Sequence, residues 1–519
     1  MSSEKVDPYA TVVHTPENGS IAHKGDFSDG DSVAYDDLSE EEKRRERIMR
    51  WKLDIIYCFV AMIAFIFKVS SLDRHRHIAH RLTLPQVVDQ YNIQNAYVSG
   101  MQEEINVKGN EYNFFTTMFN VGYIISLFPS AIVVSHFGPH YWLPGCEMLW
   151  GIMTCCLSVV QNSQTVYGLR FLVGLFEGSA WPGNTTVLSQ WYLPHEIGLR
   201  MAVFNLAMPI GGIISGVMQA ALSTNLEGAL GRSGWRWGFI VNGVCTIFIA
   251  IVALFTQPGM PDKPNPLARW YLTDEDYAIA RRRIARVKRQ PQRPLTFKSF
   301  FTAFKYWQLW AIALCWAYGY NNVPSTYFNL WLKSLKNADG TKKYNVAALN
   351  HIPMGGQAIC AVAIVLLCGL SDYLGARLPS LMIHTVINIT SQIILIIRPK
   401  NESAYMAGWL LNYAGLPAYL IVACWAGDFL NHLPEVKAVL FATGTTISYL
   451  NVAFIPLWAF PTKQAPNWHV GAKFYLGSMC VTACLFVITA VGLRYEQRRQ
   501  LRKEGKEVPR LSPFQWLMT

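Results

Sequence analysis

Runs of about 20 mostly apolar residues recur along this chain, and no other feature limits its fold as severely. They cover Phe114–Val134, Trp142–Val160, Val166–Gln190, Met201–Leu222, Trp237–Phe255, Trp307–Tyr327, Val346–Gly369, Leu378–Ile396, Tyr405–Ala426, Val439–Trp458 and Phe474–Leu493. Segments of this kind in hydrocarbon must bond their own backbone groups, so each is expected to be a spanning α-helix. A first segment, interrupted between Leu53 and Gly100, brings the expectation to about twelve helices. They divide six and six around a basic stretch, Thr256–Tyr306. The expected class is an all-α membrane protein with two pseudo-symmetric six-helix halves.

Only 15% of the 519 residues are charged, where a soluble chain would carry roughly a quarter. The net charge of +11 could indicate nucleic acid, but the bases gather at Lys43–Lys52, Arg281–Lys298 and Arg494–Arg510, beside apolar runs. That is a topology signal, placing both termini and the central stretch in the cytoplasm. The loop KSLKNADGTKK, Lys333–Lys343, is also basic yet falls outside. The expected layout is a disordered tail over 1–50, a half over 51–255, a loop over 256–306, a half over 307–493 and a tail over 494–519. With the first forty residues polar, no cleavable signal peptide is expected; they are either a modification-controlled tail or a plain solvated one. The eleven cysteines lack ligand spacing, so they read as helix-packing residues and no metal or cofactor is expected. No Gly-rich nucleotide loop, zinc pattern or nucleophile motif is present, which argues against an enzyme or an ATP-driven pump.

A weak repeat links the halves. GLSDYLGARLP, Gly369–Pro379, corresponds to SAIVVSHFGPHYWLP, Ser130–Pro144, with Ser135 where Asp372 stands in the second copy. In both, a Gly turn precedes a Pro at the start of a helix. GLSDYLGAR resembles the loop motif of the major facilitator superfamily, and RFLVGLFEG, Arg170–Gly178, resembles its fourth-helix motif. DQYNIQNAYVSGMQEE, FEGSAWPGNTTVLSQWY and GWRWGFIVNG resemble the fungal anion:cation symporters of the allantoate-permease group. AYVSGMQEE, SAWPG and PSTYFNLWLKS resemble its pantothenate permeases. The resemblance implies a proton-coupled importer of a small organic anion, pantothenate first, in the plasma membrane. Nicotinate, biotin, allantoate or a sulfur-containing acid are alternatives, as is a nutrient sensor that binds without transporting. Protons, the anion and membrane lipid are the expected partners, and the chain is expected to act as a monomer.

In such permeases the first helix runs unbroken into this motif, whereas here Val69–Gln86 inserts Asp73, Arg74, His75, Arg76, His77, His80 and Arg81. Without it, Lys68 joins Val87 in a plausible span. The insert is expected to be a translated intron, its ends compatible with splice signals; the alternative is a genuine His-rich loop.

Intramembrane ionisable residues are costly and mark function. Asp89 and Glu177 are the candidate proton carriers. Lys68 and Arg170 are possible anion partners, with Arg170 read mainly as structural together with Asp372 and Arg377. Asn92, Asn95, Tyr320, Asn321, Asn322, Gln357, Asn412 and Tyr449 are the candidate substrate contacts, because a hydroxylated, amide-bearing anion needs several donors and acceptors. Each could instead bond helix to helix. Asn321 and Asn322 lead, since Pro324 beside them breaks the helix and frees backbone groups.

Overall fold

The computed structural model describes residues 39–58, 92–192, 194–286, 301–319, 323–430 and 434–503. The insert Val69–Gln86 and the acidic tail before Ser39 lie outside them. The first half contains α1 (Glu40–Lys52), α2 (Glu111–Phe137), α3 (Pro139–Cys156), α4 (Ser163–Glu177), α5 (Ala180–Trp191), α6 (Pro194–Asn225) and α7 (Gly234–Thr256). The basic stretch forms α8 (Asp274–Arg286). The second half contains α9 (Trp307–Gly319), α10 (Phe328–Ser334), α11 (Val346–Leu374), α12 (Arg377–Ile397), α13 (Glu402–Asn412), α14 (Pro417–Phe429), α15 (Pro434–Ala459) and α16 (Gly471–Lys503).

Among the described residues, nine stretches are long and apolar enough to cross a membrane. Two expected spans are interrupted instead. Val166–Gln190 divides into α4 and α5 at Gly178–Ser179, and Trp307–Tyr327 divides into α9 and a 3₁₀ turn, Val323–Tyr327, that leads into α10. Pro324 lies in that turn and supplies no backbone donor. Large apolar side chains such as Ile132, Leu366 and Ile488 are exposed along the spans, as a lipid-facing surface requires and a water-facing one penalises.

The glycines of the fourth-helix motif have a packing reason. A Cβ on Gly174 would lie 2.0 Å from the Phe119 carbonyl oxygen, and one on Gly178 would lie 2.1 Å from the Ser126 hydroxyl. Only hydrogen fits where α4 crosses α2 so closely. In the turn between α11 and α12, Gly375 adopts φ +60°, and Arg377 donates to Ser371 and Asp372.

One end of the bundle carries the basic segments, here called the basic end. Ser39 and Glu42 form a capping box that starts α1, and α1 lies against α8. Glu46 and Arg283 pair there at 3.4 Å with both side chains buried, and Lys52 meets Asp276 at 2.7 Å. Met49, Leu53 and Tyr57 pack with Trp191, Tyr192 and Tyr277. The two amphipathic helices thus cap the end of α5.

Candidate transport pathway between the two halves

At the end opposite the basic one, the far end, Asn110 and side chains of α2 reach the last two turns of α15. A carbonyl oxygen has two lone pairs, and here the other half supplies donors to carbonyls in the last two turns of α15 and just beyond. Asn110 bonds the Leu457 carbonyl at 2.8 Å, Asn113 those of Pro456 and Phe460 at 3.2 and 2.9 Å, and Thr117 that of Ala453 at 2.7 Å. The Asn113 oxygen accepts from Tyr327 and Thr462 at 2.9 and 3.1 Å. Beside them Lys333 meets Glu103 at 2.9 Å and Gln102 at 2.8 Å, and Asn350 meets Ser99 at 3.1 Å. Burial raises the Glu103 carboxyl, but the Lys333 bond and charge outweigh it and hold that carboxyl below its ordinary range. A second clasp, on the first half alone, is Arg236. It binds Glu104 at 2.8 Å and the Ser158 and Val160 carbonyls at 2.7 and 2.9 Å.

These contacts extend to mid-span. Tyr123 and Tyr449 stack across the seam, ring centroids 4.2 Å apart and nearly parallel, and Tyr419 donates to Asn205 at 2.6 Å. Gln357 is buried against Gly212 of α6, where a Cβ would lie 2.7 Å from its amide carbon. Of the residues singled out in the sequence, Tyr449, Gln357 and Asn95 therefore lie on the seam. Asn95 donates to Ser215 at 3.0 Å and accepts from Asn329 of the other half at 3.3 Å. Asn92, one turn away, turns instead into the first half toward Gln219 and Gly238. Lys68, Asp89, Tyr320, Asn321 and Asn322 lie outside the described residues.

Asn412 belongs to a polar chain within the second half. Its oxygen accepts from the Ser325 backbone at 2.9 Å, in the break that precedes α10, and its amide approaches Asn388 at 3.5 Å. Asn388 meets His384 at 3.2 Å, and the His384 ring reaches the Gly415 carbonyl at 2.9 Å. The helix that supplies them, α12, buries Ser380, His384, Asn388, Ser391 and Gln392 completely. One polar residue per turn along its face was the available signal for this chain.

Arg170 and Glu177 are both fully enclosed on α4, at 2% and 0% exposure. The Arg170 guanidinium sits over the Phe119 ring, 4.6 Å from its centroid. Glu147, half-buried in the span Pro139–Val159, is an intramembrane carboxylate that the sequence reading passed over. It lies one turn from Gly151, which packs on Thr246 of α7.

Comparison with known proteins places this architecture. The family model of the Major Facilitator Superfamily matches residues 83–456. The MFS transporter PfmaC of Pestalotiopsis fici is 31% identical over 81% of this chain and 78% of its own length. From Saccharomyces cerevisiae, the Vitamin H transporter is 28% identical over 88% of this chain and 74% of its own, and the pantothenate transporter FEN2 is 25% identical over 92% and 89%. Among solved structures, the xylose transporter XylE from E. coli superimposes with a TM-score of 0.59 at 13% identity, covering 84% of this chain and 96% of that one. With two helical halves meeting along a polar seam, the chain belongs to the major facilitator superfamily and is an integral membrane transporter, not an enzyme.

Proposed function

We propose that this chain imports a small organic anion with protons across the plasma membrane, and that pantothenate is its first substrate. The basic end is cytoplasmic, with both termini there, and the far end faces outside. The halves 51–255 and 307–493 rock about the seam, so the far-end hydrogen bonds are those of an inward-facing state. The observation that carries this reading, among the described residues, is that the cross-half hydrogen bonds are densest at the far end and thin at mid-span to Tyr419 with Asn205 and the Tyr123–Tyr449 stack, the level where a substrate is held between halves. Relatives named for pantothenate and vitamin H support a carboxylated vitamin as cargo, with biotin as the second candidate.

In this scheme Glu177 or Asp89 carries the proton, loading from an acidic exterior. Lys68 holds the carboxylate, while Asn321, Asn322, Gln357 and Asn412 select its polar groups. Arg170 keeps α4 seated on α2.

The test is uptake of labelled pantothenate by permease-deficient yeast, at acidic and neutral outside pH, with the full chain and a form lacking Val69–Gln86. Acid-stimulated accumulation supports substrate and coupling together. Surface-expressed protein that accumulates no pantothenate but does accumulate biotin moves the assignment to the second candidate. Binding with no accumulation of either points to a sensor.

A further inference from the structure

A cavity of about 590 Å³ opens at the far end, across the seam. Val98 contributes from the first half, and Lys333, Lys342, Lys343, Tyr344 and Ala348 from the second. The loop from Leu335 to Asn345 is folded to present these bases. Lys336 and Lys342 form an antiparallel backbone bridge, and Asp339 accepts two bonds from Thr341 in the turn between them. Two of the three lysines already hold carboxylates. Lys333 holds Glu103 of the other half, and Lys343 holds Glu402 at 2.6 Å. Lys342 forms no ion pair among the described residues, yet its charge bears on both Glu103 and Lys333. The pocket therefore has a positive excess, sharpened by the N-terminal end of α11 just beneath it.

Lys333 is only 14% exposed, whereas its partner Glu103 is 55% exposed. Glu103 is thus a carboxylate held from the solvent side by a cation anchored in the seam. A half-exposed pair of this kind is weakly held, and a second carboxylate in the pocket offers Lys333 the same chemistry.

We propose that this pocket is the first binding station for the transported anion, and that the anion's carboxylate takes Lys333 from Glu103 and so releases the far end. Lys342 attracts the anion and Lys333 receives it. The exchange removes one of the ties across the seam, alongside the Lys333–Gln102 and Asn350–Ser99 bonds. Opening is then coupled to the arrival of cargo of the right charge. This rests on the reading of the far end as the outer face and of the cargo as an organic monoanion.

Two measurements test it. In the first, Ala348→Cys, which lines the pocket, is labelled in intact cells by an anionic, membrane-impermeant thiol reagent. Pantothenate, biotin, nicotinate and acetate are each tried as protectants. Protection by at least one monoanion, lost on adding Lys342→Gln, is expected. In the second, uptake kinetics of the accumulated anion are compared for the parent, Lys342→Gln and Lys342→Glu. The KM is expected to rise several-fold and then further, at unchanged maximal rate, with its dependence on salt flattened. A merely structural lysine would change the amount of protein, not the salt dependence. Protection by some other monoanion without pantothenate uptake upholds the pocket and overturns the pantothenate assignment. Normal uptake with no protection, and a KM insensitive to both substitutions, overturns the pocket.

Discussion

Replacing Asn113 by Ala should unbalance the transport cycle, by an amount the far-end geometry sets. Asn113 is 2% exposed and its amide joins the halves through four contacts, to Pro456, Phe460, Tyr327 and Thr462. Each bond is worth about 0.5–1.5 kcal/mol net, and a buried hydroxyl or carbonyl left unpaired costs about 1–3 kcal/mol. When the far end opens, water serves all these groups, so the loss falls on the closed state alone. A difference of about 3 kcal/mol raises the open-to-closed ratio about 100-fold. Ala453, 1% exposed beside Thr117, provides the reporter. As Ala453→Cys it should react with an impermeant thiol reagent from outside far faster in the Asn113→Ala background. Tyr327→Phe removes one of the four contacts and should raise the rate only about fivefold, for about 1 kcal/mol. Equal reactivity in the parent and in Asn113→Ala would refute the view that these bonds hold the far end shut.

Other consequences follow from the same structure. Gly174→Val should lower the thermal transition of the detergent-solubilised protein sharply, because a Cβ would lie 2.0 Å from the backbone oxygen of Phe119, where something must shift; overpacking of this kind costs about 3 kcal/mol. Gly168→Ala, on the same helix with nothing within 4 Å, should leave it unchanged. Glu46→Gln removes the buried negative charge facing Arg283 and should loosen α1 by about 3 kcal/mol, read as faster tryptic cleavage at Arg44 and Arg45. The depressed Glu103 carboxyl is ionised throughout the range above its ordinary pKa and loses its tie to Lys333 only as pH falls through the lowered value. Glu103→Gln should therefore leave the ratio of uptake at about pH 5 to that at about pH 7 unchanged; loss of acid stimulation would identify Glu103 as the proton site instead.

The spans were legible because hydrocarbon length and backbone self-satisfaction leave little choice. The break before α10 was legible too, through Pro324. The direction in which polar residues point was not. Asn92 and Asn95 are three residues apart, about 60° around a helix, and that angle separates a residue inside one half from one on the seam. Asn110, Asn113 and Thr117 could not be recognised as a clasp, since their acceptors are carbonyls more than three hundred residues away. The α1 helix did carry its sign, Ser39 with Glu42 three residues on, a capping box opening a helix over Glu40–Lys52 where a disordered tail to residue 50 was expected. The basic loop Lys333–Lys343, an irritant to the topology argument, becomes intelligible once folded into the wall of a cavity.

Asn110, Asn113 and Thr117 bind four main-chain carbonyls of α15 and the residue after it. A carbonyl is the same whatever side chain its residue bears. In these four bonds the side-chain identity therefore lies with Asn110, Asn113 and Thr117 alone. Substitutions in the α15 side chains would leave these four bonds in place, so this part of the gate need not be invented again when the cargo changes.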